Sequence, residues 1–400
     1  MIYNDFKGMK LSALGFGMMR LPLLQDGKTV DRELTAAMID YAISHGVNYF
    51  DTAVPYHSGM SEIVAGEILQ RYPRESYMLA DKFPGHQHAE EYDPQEVFES
   101  QLRKCRTEYF DFYLLHNVCE SSADVYFDKK WGILDYFVKQ KENGRIKHLG
   151  FSSHADLEML RTILDSEYGK YMEFCQIQLN YVDWTLQKAR EKVALLESYG
   201  IPVWVMEPLR GGRLASMPEE VTAEMRKLRP EESTAAWAFR WLQRIPQVKM
   251  ILSGMSDMEQ MKDNIRTFES FSPLNEEENS LVGTAAAGMH RAVPCTACRY
   301  CCDGCPAGLD IPVLVAAYND LSLQFSLTPM MRLEAMPEEK RPSACLQCGS
   351  CESICPQKIA VPEVLSKLAG LYEKSPKWSE ICVERAAEAA KLEASYLLKK

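Results

Sequence analysis

The most constraining feature of this sequence is a series of eight short apolar runs, which alternate with amphipathic stretches over residues 1–285. Runs rich in Val, Ile, Leu and Phe suit parallel strands that are buried on both faces. The stretches between them carry apolar residues at helical spacing. The eight runs lie at 14–20, 49–52, 78–82, 110–116, 147–153, 174–180, 202–208 and 248–254.

Residues at the ends of the amphipathic stretches support their prediction as helices. The helices are predicted at 31–45, 94–104, 131–143, 155–166, 186–199 and 233–243. Asp31 and Asp93 are suited to cap helix N-termini, whereas Gly46, Gly144 and Gly200 follow helices where a left-handed residue is needed. Eight strand–helix units predict an α/β fold of the closed (β/α)8 TIM-barrel type. An open doubly wound sheet is the alternative, but the G-x-G-x-x-G that usually follows its first strand is absent.

Composition excludes several classes of protein. The chain has 400 residues, of which 46% are hydrophobic and 25% charged, so it is globular. Its formal net charge of -11 disfavours nucleic acid as a partner. Because no apolar stretch reaches the length of a membrane span, we expect no membrane association. Thirteen cysteines in a chain of this length indicate metal binding or catalysis in a reducing compartment, and we expect a cytoplasmic protein.

Nine of the thirteen cysteines lie between positions 295 and 355, in two runs of the same spacing. The runs are Cys295-x2-Cys298-x2-Cys301-x3-Cys305-Pro306 and Cys345-x2-Cys348-x2-Cys351-x3-Cys355-Pro356. This is the spacing of bacterial ferredoxins with 4Fe-4S clusters, in which three thiolates hold one cluster and the fourth reaches the other. Structural zinc is the alternative, but a tetrahedral site has no use for the third cysteine of each run.

The ferredoxin pattern implies crossed ligand sets for two 4Fe-4S clusters. One cluster takes Cys295, Cys298, Cys301 and Cys355, and the other takes Cys345, Cys348, Cys351 and Cys305. Cys302 is left over, either as a bystander or as a substitute for Cys301. Residues 290–365 resemble the helical di-cluster ferredoxin modules that are fused to redox enzymes. We therefore expect a barrel domain at 1–285 and a mainly helical, ferredoxin-like domain with two clusters at 286–400.

Four polar residues stand at the C-terminal ends of three consecutive predicted strands, where barrel enzymes keep their chemistry. They are Asp51, Tyr56, Lys82 and His116. Carbonyl reduction needs a proton donor at the oxygen that gains negative charge. A phenol is too weak an acid near neutrality unless a cation stabilises its phenolate. Lys82 can be that cation, Asp51 can pair with it, and His116 can donate a hydrogen bond to the substrate oxygen.

Taken singly, each of these four residues has an ordinary structural interpretation. Asp51 would be a cap, Tyr56 a surface aromatic, Lys82 a solvated charge and His116 a satisfied core histidine. Their joint placement at consecutive strand ends favours catalysis. His57 and His154 lack such support and are interpreted as loop residues at or near the mouth of the barrel.

The four residues at these strand ends resemble the tetrad of the aldo-keto reductase family, and residues 1–285 are similar to that family along their length. The resemblance implies that Tyr56 is the general acid/base, that Lys82 and Asp51 activate it, and that His116 orients the substrate. It also implies reversible hydride transfer between NADPH or NADH and a small carbonyl or alcohol substrate. With its cysteine module, the chain resembles the iron-sulfur-containing branch of the family.

The same resemblance places a nicotinamide dinucleotide across the mouth of the barrel. The implied contacts are Gly17, Met18, Ser152, Ser153, Gln176, Met206, Pro208, Leu209, Gly254, Ser256, Gln260 and Asn264. Met206 stands where many members stack an aromatic ring, and it offers no π-face. Gly254 and Gln260 stand where NADPH-preferring members often place Lys and Arg, which weakens the case for NADPH over NADH.

The two redox centres differ in how many electrons they transfer. Hydride transfer moves two electrons together and each cluster passes one, so coupling them needs a converter such as a flavin. The sequence shows no sign of one. The clusters would then exchange electrons with a redox partner protein, sense redox state, or brace their module. The alternative function is an electron-transfer or redox-sensing protein whose barrel is a docking module, but the intact tetrad argues against it.

Overall fold

The computed structural model describes residues 1–397 except 88, 290–292, 294, 296, 297, 324 and 356. Two compact units make up the chain: Met1–Gly283 together with the residues from Glu384 onward, and Thr284–Val383. Among the described residues, no helix combines the length and the apolar character that crossing a membrane requires.

The first unit contains a closed barrel of eight parallel strands. A separate antiparallel hairpin, β1 (Tyr3–Phe6) and β2 (Met9–Ser12), precedes it. The barrel strands are β3 (Leu14–Gly17), β4 (Tyr49–Asp51), β5 (Met78–Phe83), β6 (Phe110–Leu115), β7 (Ile146–Ser153), β8 (Cys175–Gln178), β9 (Val203–Met206) and β10 (Val248–Gly254). They follow one another around the barrel, and β10 pairs with β3 to close it. All eight predicted strands are confirmed, and the closure confirms a barrel over an open sheet.

Helices cover the outside of the barrel, and their ends carry the predicted capping residues. The α-helices between Met1 and Met289 are Arg32–Ser44, Met60–Leu69, Pro94–Cys105, Ala123–Phe127, Ile133–Glu142, Leu157–Asp165, Asp183–Leu186, Ala189–Ser198, Glu219–Leu228, Thr234–Leu242, Met258–Phe268 and Glu276–Met289. The carboxylates of Asp31 and Asp93 accept hydrogen bonds from the first-turn amides of their helices. Gly46, Gly144 and Gly200 have positive φ angles, as predicted for the residues that follow helices.

The hairpin that the sequence did not predict closes the N-terminal end of the barrel. The ring of Phe6 in β1 packs at centroid distances of 5.1 Å from Trp204 and 5.7 Å from Phe112. The side-chain amide of Asn4 donates to the backbone oxygen of Lys249 at 2.7 Å. Buried aromatic rings contribute strongly to core stability. Because this end is filled, the opposite end, where the strands terminate, is the one that offers a site.

The second unit is helical. Its other α-helices are Tyr300–Asp303, Ile311–Leu323, Leu327–Ala335, Ser350–Ile354 and Val361–Lys374, and the helix Trp378–Leu397 follows them. The core of this unit includes Leu314, Leu333 and Leu368, which are all fully buried. The helix Leu327–Ala335 contains Pro329 at its third position. Pro329 is tolerated there because it lies in the first turn, where backbone N–H groups have no helical partner.

Candidate active site

The barrel topology brings the four predicted catalytic residues together at its C-terminal end. Asp51 ends β4, Lys82 lies near the end of β5, His116 follows β6, and Tyr56 begins the turn Tyr56–Gly59. The ammonium Nζ of Lys82 lies 2.5 Å from Oδ1 of Asp51 and 3.2 Å from the hydroxyl of Tyr56. It also donates to the backbone oxygen of Thr52 at 2.7 Å. Lys82 is completely buried and Asp51 is 2% exposed, so this ion pair is shielded from water.

Burial and charge act against each other on the phenol and the ammonium. Burial raises the pKa of Tyr56 above its ordinary value, and the charge of Lys82 opposes that rise. Burial also opposes the charge on Lys82, but Asp51 and Tyr56 raise the pKa of Lys82 above its ordinary value. A charged ammonium therefore faces a neutral phenol. The charge of Lys82 lowers the pKa of Tyr56, as predicted, but burial raises this pKa by more.

His116 completes the polar end of the barrel as a neutral side chain. Its pKa lies well below the ordinary value, because burial disfavours the charged ring and the positive charges of His86 and Lys82 add to the effect. The rings of His116 and Tyr56 are nearly perpendicular, with centroids 6.0 Å apart. Nδ1 of His116 has no hydrogen-bond partner among the described residues. A neutral imidazole still carries one N–H, which suits the predicted hydrogen bond to a substrate oxygen.

The turn that carries Tyr56 adopts an unusual backbone conformation. His57, Ser58 and Gly59 have φ angles of 50°, 52° and 86°, in the left-handed region. For residues other than glycine this conformation costs about 1–2 kcal/mol each. The ring Nε2 of His57 accepts a hydrogen bond of 2.9 Å from the backbone N–H of Leu21. His57, which the sequence places only at or near the mouth, therefore anchors the turn that carries Tyr56 to the loop after β3.

Two residues that the sequence did not single out hold in place the strand ends that carry the candidate catalytic residues. The hydroxyl of Tyr126 lies 2.7 Å from the backbone oxygen of His116 and 2.9 Å from that of Phe83, so it donates between two adjacent strand ends. The amide of Gln101 donates to the backbone oxygen of Lys82 at 3.0 Å. Both side chains come from helices that pack against the barrel. No local pattern in the sequence reveals such contacts.

A cavity of about 580 Å³ opens beside Tyr56 and Asp51 at the mouth of the barrel. The predicted cofactor contacts that line it are Gly17, Gln176, Met206, Pro208, Leu209, Gly254, Ser256, Gln260 and Asn264. Charged residues that were not predicted as contacts also line it: Arg20, Glu207, Glu259 and Asp263. Residues of the loops after β3, β9 and β10 thus line one cavity.

Three predicted cofactor contacts do not lie on the wall of this cavity. Met18 is completely buried. Ser152 Oγ accepts a hydrogen bond of 2.8 Å from the backbone N–H of Asn117, and Ser153 Oγ donates to the backbone oxygen of Val118 at 2.7 Å. Both serines therefore tie the end of β7 to the loop after β6. Their contact with a cofactor stays a prediction.

The cavity fits the nicotinamide dinucleotide that the sequence predicted. Gln176 is 3% exposed, and its Oε1 has no hydrogen-bond partner among the described residues. A buried acceptor on a cavity wall needs a donor, because an unsatisfied polar group costs free energy. The carboxamide N–H of a nicotinamide is such a donor. Gln176 would hold that group next to Tyr56.

In the second unit, the cysteines line two separate small cavities. One is lined by Cys295, Cys298, Cys301 and Cys355, among other residues. The other is lined by Cys305, Cys345, Cys348 and Cys351. Each cavity thus gathers three cysteines of one run and the fourth of the other, which is the crossed arrangement of the predicted cluster ligands. Cys302 lines neither, and the predicted Pro356 lies outside the described residues.

The donor set of these two cavities fits an iron-sulfur cluster. Four thiols that surround a space are the ligands that a 4Fe-4S cluster takes. Among the described residues, no three His, Cys, Asp or Glu side chains gather as tightly as the ligands of a single metal ion. All eight cysteines are free thiols.

Comparison with known proteins agrees with both halves of the chain. The model of the aldo/keto reductase family matches residues 13–286, and that of the 4Fe-4S dicluster domain matches residues 294–360. The chain belongs to the aldo/keto reductase family, and it is an oxidoreductase that carries a 4Fe-4S dicluster domain.

Individual relatives share the barrel part of the chain. An uncharacterised oxidoreductase of Bacillus subtilis, YqkF, is 24% identical over 315 residues, which cover 71% of this chain and 96% of that protein. L-galactose dehydrogenase of Arabidopsis thaliana is 24% identical over 300 residues, covering 68% and 89%. An aldo-keto reductase of Klebsiella pneumoniae, solved in complex with NADPH, superimposes with a TM-score of 0.57 at 19% identity and covers 71% of this chain and 95% of its own. The last similarity shows the fold alone.

Proposed function

We propose that this protein transfers hydride reversibly between a nicotinamide dinucleotide and a small aldehyde or ketone. The observation that carries the proposal is the position of Lys82, whose ammonium bridges Asp51 and the hydroxyl of Tyr56 at the inner end of the large cavity. A buried cation beside a phenol has a direct use where the phenol must give up its proton. The bound dihydronicotinamide supplies the hydride.

The residues of the chain account for the proton that the reaction needs. A carbonyl oxygen placed between the hydroxyl of Tyr56 and His116 receives two hydrogen bonds, which stabilise the charge that develops on it. Tyr56 then gives its proton to that oxygen, and Lys82 stabilises the phenolate that remains. In the direction of alcohol oxidation, the same phenolate accepts the proton back. Asp51 keeps Lys82 charged throughout.

Anaerobic turnover of the purified holoprotein tests this proposal. The assay supplies NADH or NADPH with a panel of aldehydes and ketones, and follows the loss of reduced nucleotide. We expect oxidation of the nucleotide that depends on the carbonyl compound. Absence of turnover with every carbonyl compound would contradict the proposal and favour the electron-transfer alternative.

The charge around the adenosine part of the cavity supports NADH as the nucleotide. Glu259 and Asp263 line this part, whereas Gly254 and Gln260 supply no cation there. A dianionic 2′-phosphate is repelled by carboxylates, while free ribose hydroxyls can donate to them. Arg20 lies against Gly254, and its backbone oxygen accepts a hydrogen bond of 2.9 Å from Ser256 Oγ. Among the described residues that line the cavity, Arg20 is the only Lys or Arg, and Glu259 and Asp263 outnumber it.

Reversal of one charge should therefore change the nucleotide preference. We expect the wild type to use NADH with a kcat/KM about tenfold or more above that for NADPH, and Glu259→Lys to reduce this ratio by about tenfold or more. The matched control is Glu269→Lys, which makes the same change at the far, exposed end of the same helix. Steady-state kinetics with both nucleotides measure the ratio. An unchanged ratio in Glu259→Lys would contradict the assignment of this end of the cavity.

We also propose that the eight cysteines hold two 4Fe-4S clusters in the C-terminal domain, predicted at 286–400, and that residues 1–285 form the catalytic domain. Within the predicted C-terminal domain, the residues from Glu384 onward group with the barrel unit. The two four-cysteine cavities support this proposal. When bound, such clusters supply one-electron transfer. Since the hydride reaction moves electrons in pairs, we propose that the clusters serve a redox partner protein and not the barrel reaction.

The cluster ligands can be tested by iron content. We expect about eight iron atoms per wild-type chain, and about half of that after Cys351→Ser, because one cluster loses a ligand. The control is Cys302→Ser, which removes a thiol of the same segment that lines neither cavity. Iron and acid-labile sulfide analysis measures both. Stoichiometric zinc in place of iron would refute the clusters, and equal iron loss in the control would make Cys302 a ligand.

A further inference from the structure

The loop after β9, residues 207–212, lines the large cavity in an unusual backbone conformation. We call these residues the cavity loop; all of them except Arg210 line the cavity. Glu207, Arg210, Gly211 and Gly212 have φ angles of 55°, 48°, 67° and 92°. For residues other than glycine, this left-handed conformation costs free energy and persists only where the surrounding structure enforces it. The cavity loop therefore needs an anchor at Glu207 and Arg210.

The side chain of Arg210 ties the cavity loop to the interior of the barrel unit. Its Nε donates to Oδ1 of Asp183 at 3.1 Å. Arg210 is 7% exposed and Asp183 is completely buried. Because buried charges are screened much less than exposed ones, the attraction between these two groups is strong.

Two polar side chains at the end of β8 hold the carboxylate of Asp183 in place. The side-chain amides of Gln178 and Asn180 donate to its Oδ2 at 2.8 Å and 2.7 Å. The amide of Asn180 also donates to the backbone oxygen of Glu207 at 3.0 Å, and the backbone N–H of Arg210 donates to that same oxygen. The network thus fixes both non-glycine residues of the cavity loop that have positive φ angles.

We propose that Asp183 is a positioning residue for the nicotinamide dinucleotide, because it holds the cavity loop, through Arg210, in the conformation that binds the nucleotide. The inference rests on the nucleotide site of the proposed function and adds residues that set its affinity. Neither Asp183 nor Arg210 is among the described residues that line the cavity. A loop that is ordered in advance saves the nucleotide the cost of ordering it.

Titration of the holoprotein with NADH, followed by the fluorescence of the nucleotide, tests this inference. Asp183→Asn keeps the volume of the side chain and weakens its bond with Arg210. We expect it to raise Kd by about tenfold or more, because Kd rises as the fraction of molecules with a competent loop falls. At saturating nucleotide and carbonyl compound, kcat should change by less than about twofold. Arg210→Met should raise Kd as Asp183→Asn does, and Arg210→Lys, which keeps the positive charge, should raise it less.

Amide hydrogen exchange reports on the cavity loop itself. Exchange in the peptide that covers residues 207–212 should be faster in Asp183→Asn than in the wild type, and NADH should slow it again. The matched control is Asp111→Asn, which removes a carboxylate that pairs with Arg74 at 2.6 Å near the start of β6. This control should keep the wild-type Kd and the wild-type exchange of the cavity loop.

Two results would overturn the inference while leaving the nucleotide site intact. One is a wild-type Kd in Asp183→Asn. The other is an equal rise of Kd in Asp111→Asn, because that result indicates a general effect of losing an ion pair.

Failure of the proposed hydride transfer gives a different pattern of results. If the wild type binds NADH but reduces no carbonyl compound, the hydride reaction is rejected. A rise of Kd in Asp183→Asn alone would then still support the positioning role. If the wild type binds neither NADH nor NADPH, the inference is overturned together with the nucleotide site.

Discussion

Tyr56→Phe should lower kcat for carbonyl reduction by about three orders of magnitude, within the range that a positioned general acid contributes. The substitution removes only the hydroxyl, which lies 3.2 Å from Nζ of Lys82. The ion pair between Lys82 and Asp51 keeps both of its partners, so the fold of the strand ends is preserved. Stopped or continuous assays of nucleotide oxidation, at saturating carbonyl compound, measure the loss. KM should change little, because the phenol acts mainly as charge develops on the oxygen.

Tyr199→Phe is the matched control, since Tyr199 is exposed and its hydroxyl contacts Asp165 on the surface. It should leave kcat unchanged. Both variants should keep the full iron content. Wild-type activity in Tyr56→Phe would reject Tyr56 as the proton donor, even if the protein reduces carbonyl compounds.

The pH dependence of the reduction provides a second test of the same residue. Burial raises the pKa of Tyr56 above its ordinary value, so the phenol stays protonated through neutral and moderately alkaline pH. A general acid acts in its protonated form, so kcat for reduction should stay level as pH rises towards that pKa and fall above it. If kcat instead declines near neutrality in the manner of a single ionisation, the general acid is a group other than Tyr56.

The barrel could be predicted because its strands are buried on both faces and therefore appear as continuous apolar runs. The hairpin β1–β2 escaped prediction because each of its strands has four residues of mixed polarity, YNDF and MKLS, and neither run has a clear period. Its contribution comes from tertiary packing of Phe6 against Trp204.

The proximity of the four candidate catalytic residues could be predicted because topology alone brings the ends of the strands to the mouth of the barrel. No comparable rule predicts which side chains of the surrounding helices reach the strand ends. Tyr126 fixes the backbone of His116 from one helix, and Gln101 fixes that of Lys82 from another. A polar residue at a strand end need not face the cavity. The hydroxyls of Ser152 and Ser153 form hydrogen bonds with the backbone of the loop after β6 instead.

Lys82→Met should both destabilise the barrel and remove catalysis. It leaves the carboxylate of Asp51 buried without its cation, and loss of one partner of a buried pair costs about 3–5 kcal/mol. It also removes the charge that stabilises the Tyr56 phenolate, so we expect kcat to fall by at least about a hundredfold. Denaturant unfolding followed by tryptophan fluorescence measures stability, because Trp204 and Trp237 are completely buried in the barrel unit. Nucleotide oxidation measures catalysis.

The double variant Asp51→Leu with Lys82→Met separates these two effects. Removing both charges leaves no buried ion unpaired, and apolar replacement of a buried pair is often neutral or stabilising. We therefore expect the double variant to regain most of the lost stability while its kcat stays as low as that of Lys82→Met. Equal instability of the two variants would show that Asp51 is not the group that suffers from the loss of Lys82. Recovery of activity in the double variant would show that the ammonium is dispensable, because a phenol in a purely apolar site would then suffice as the acid.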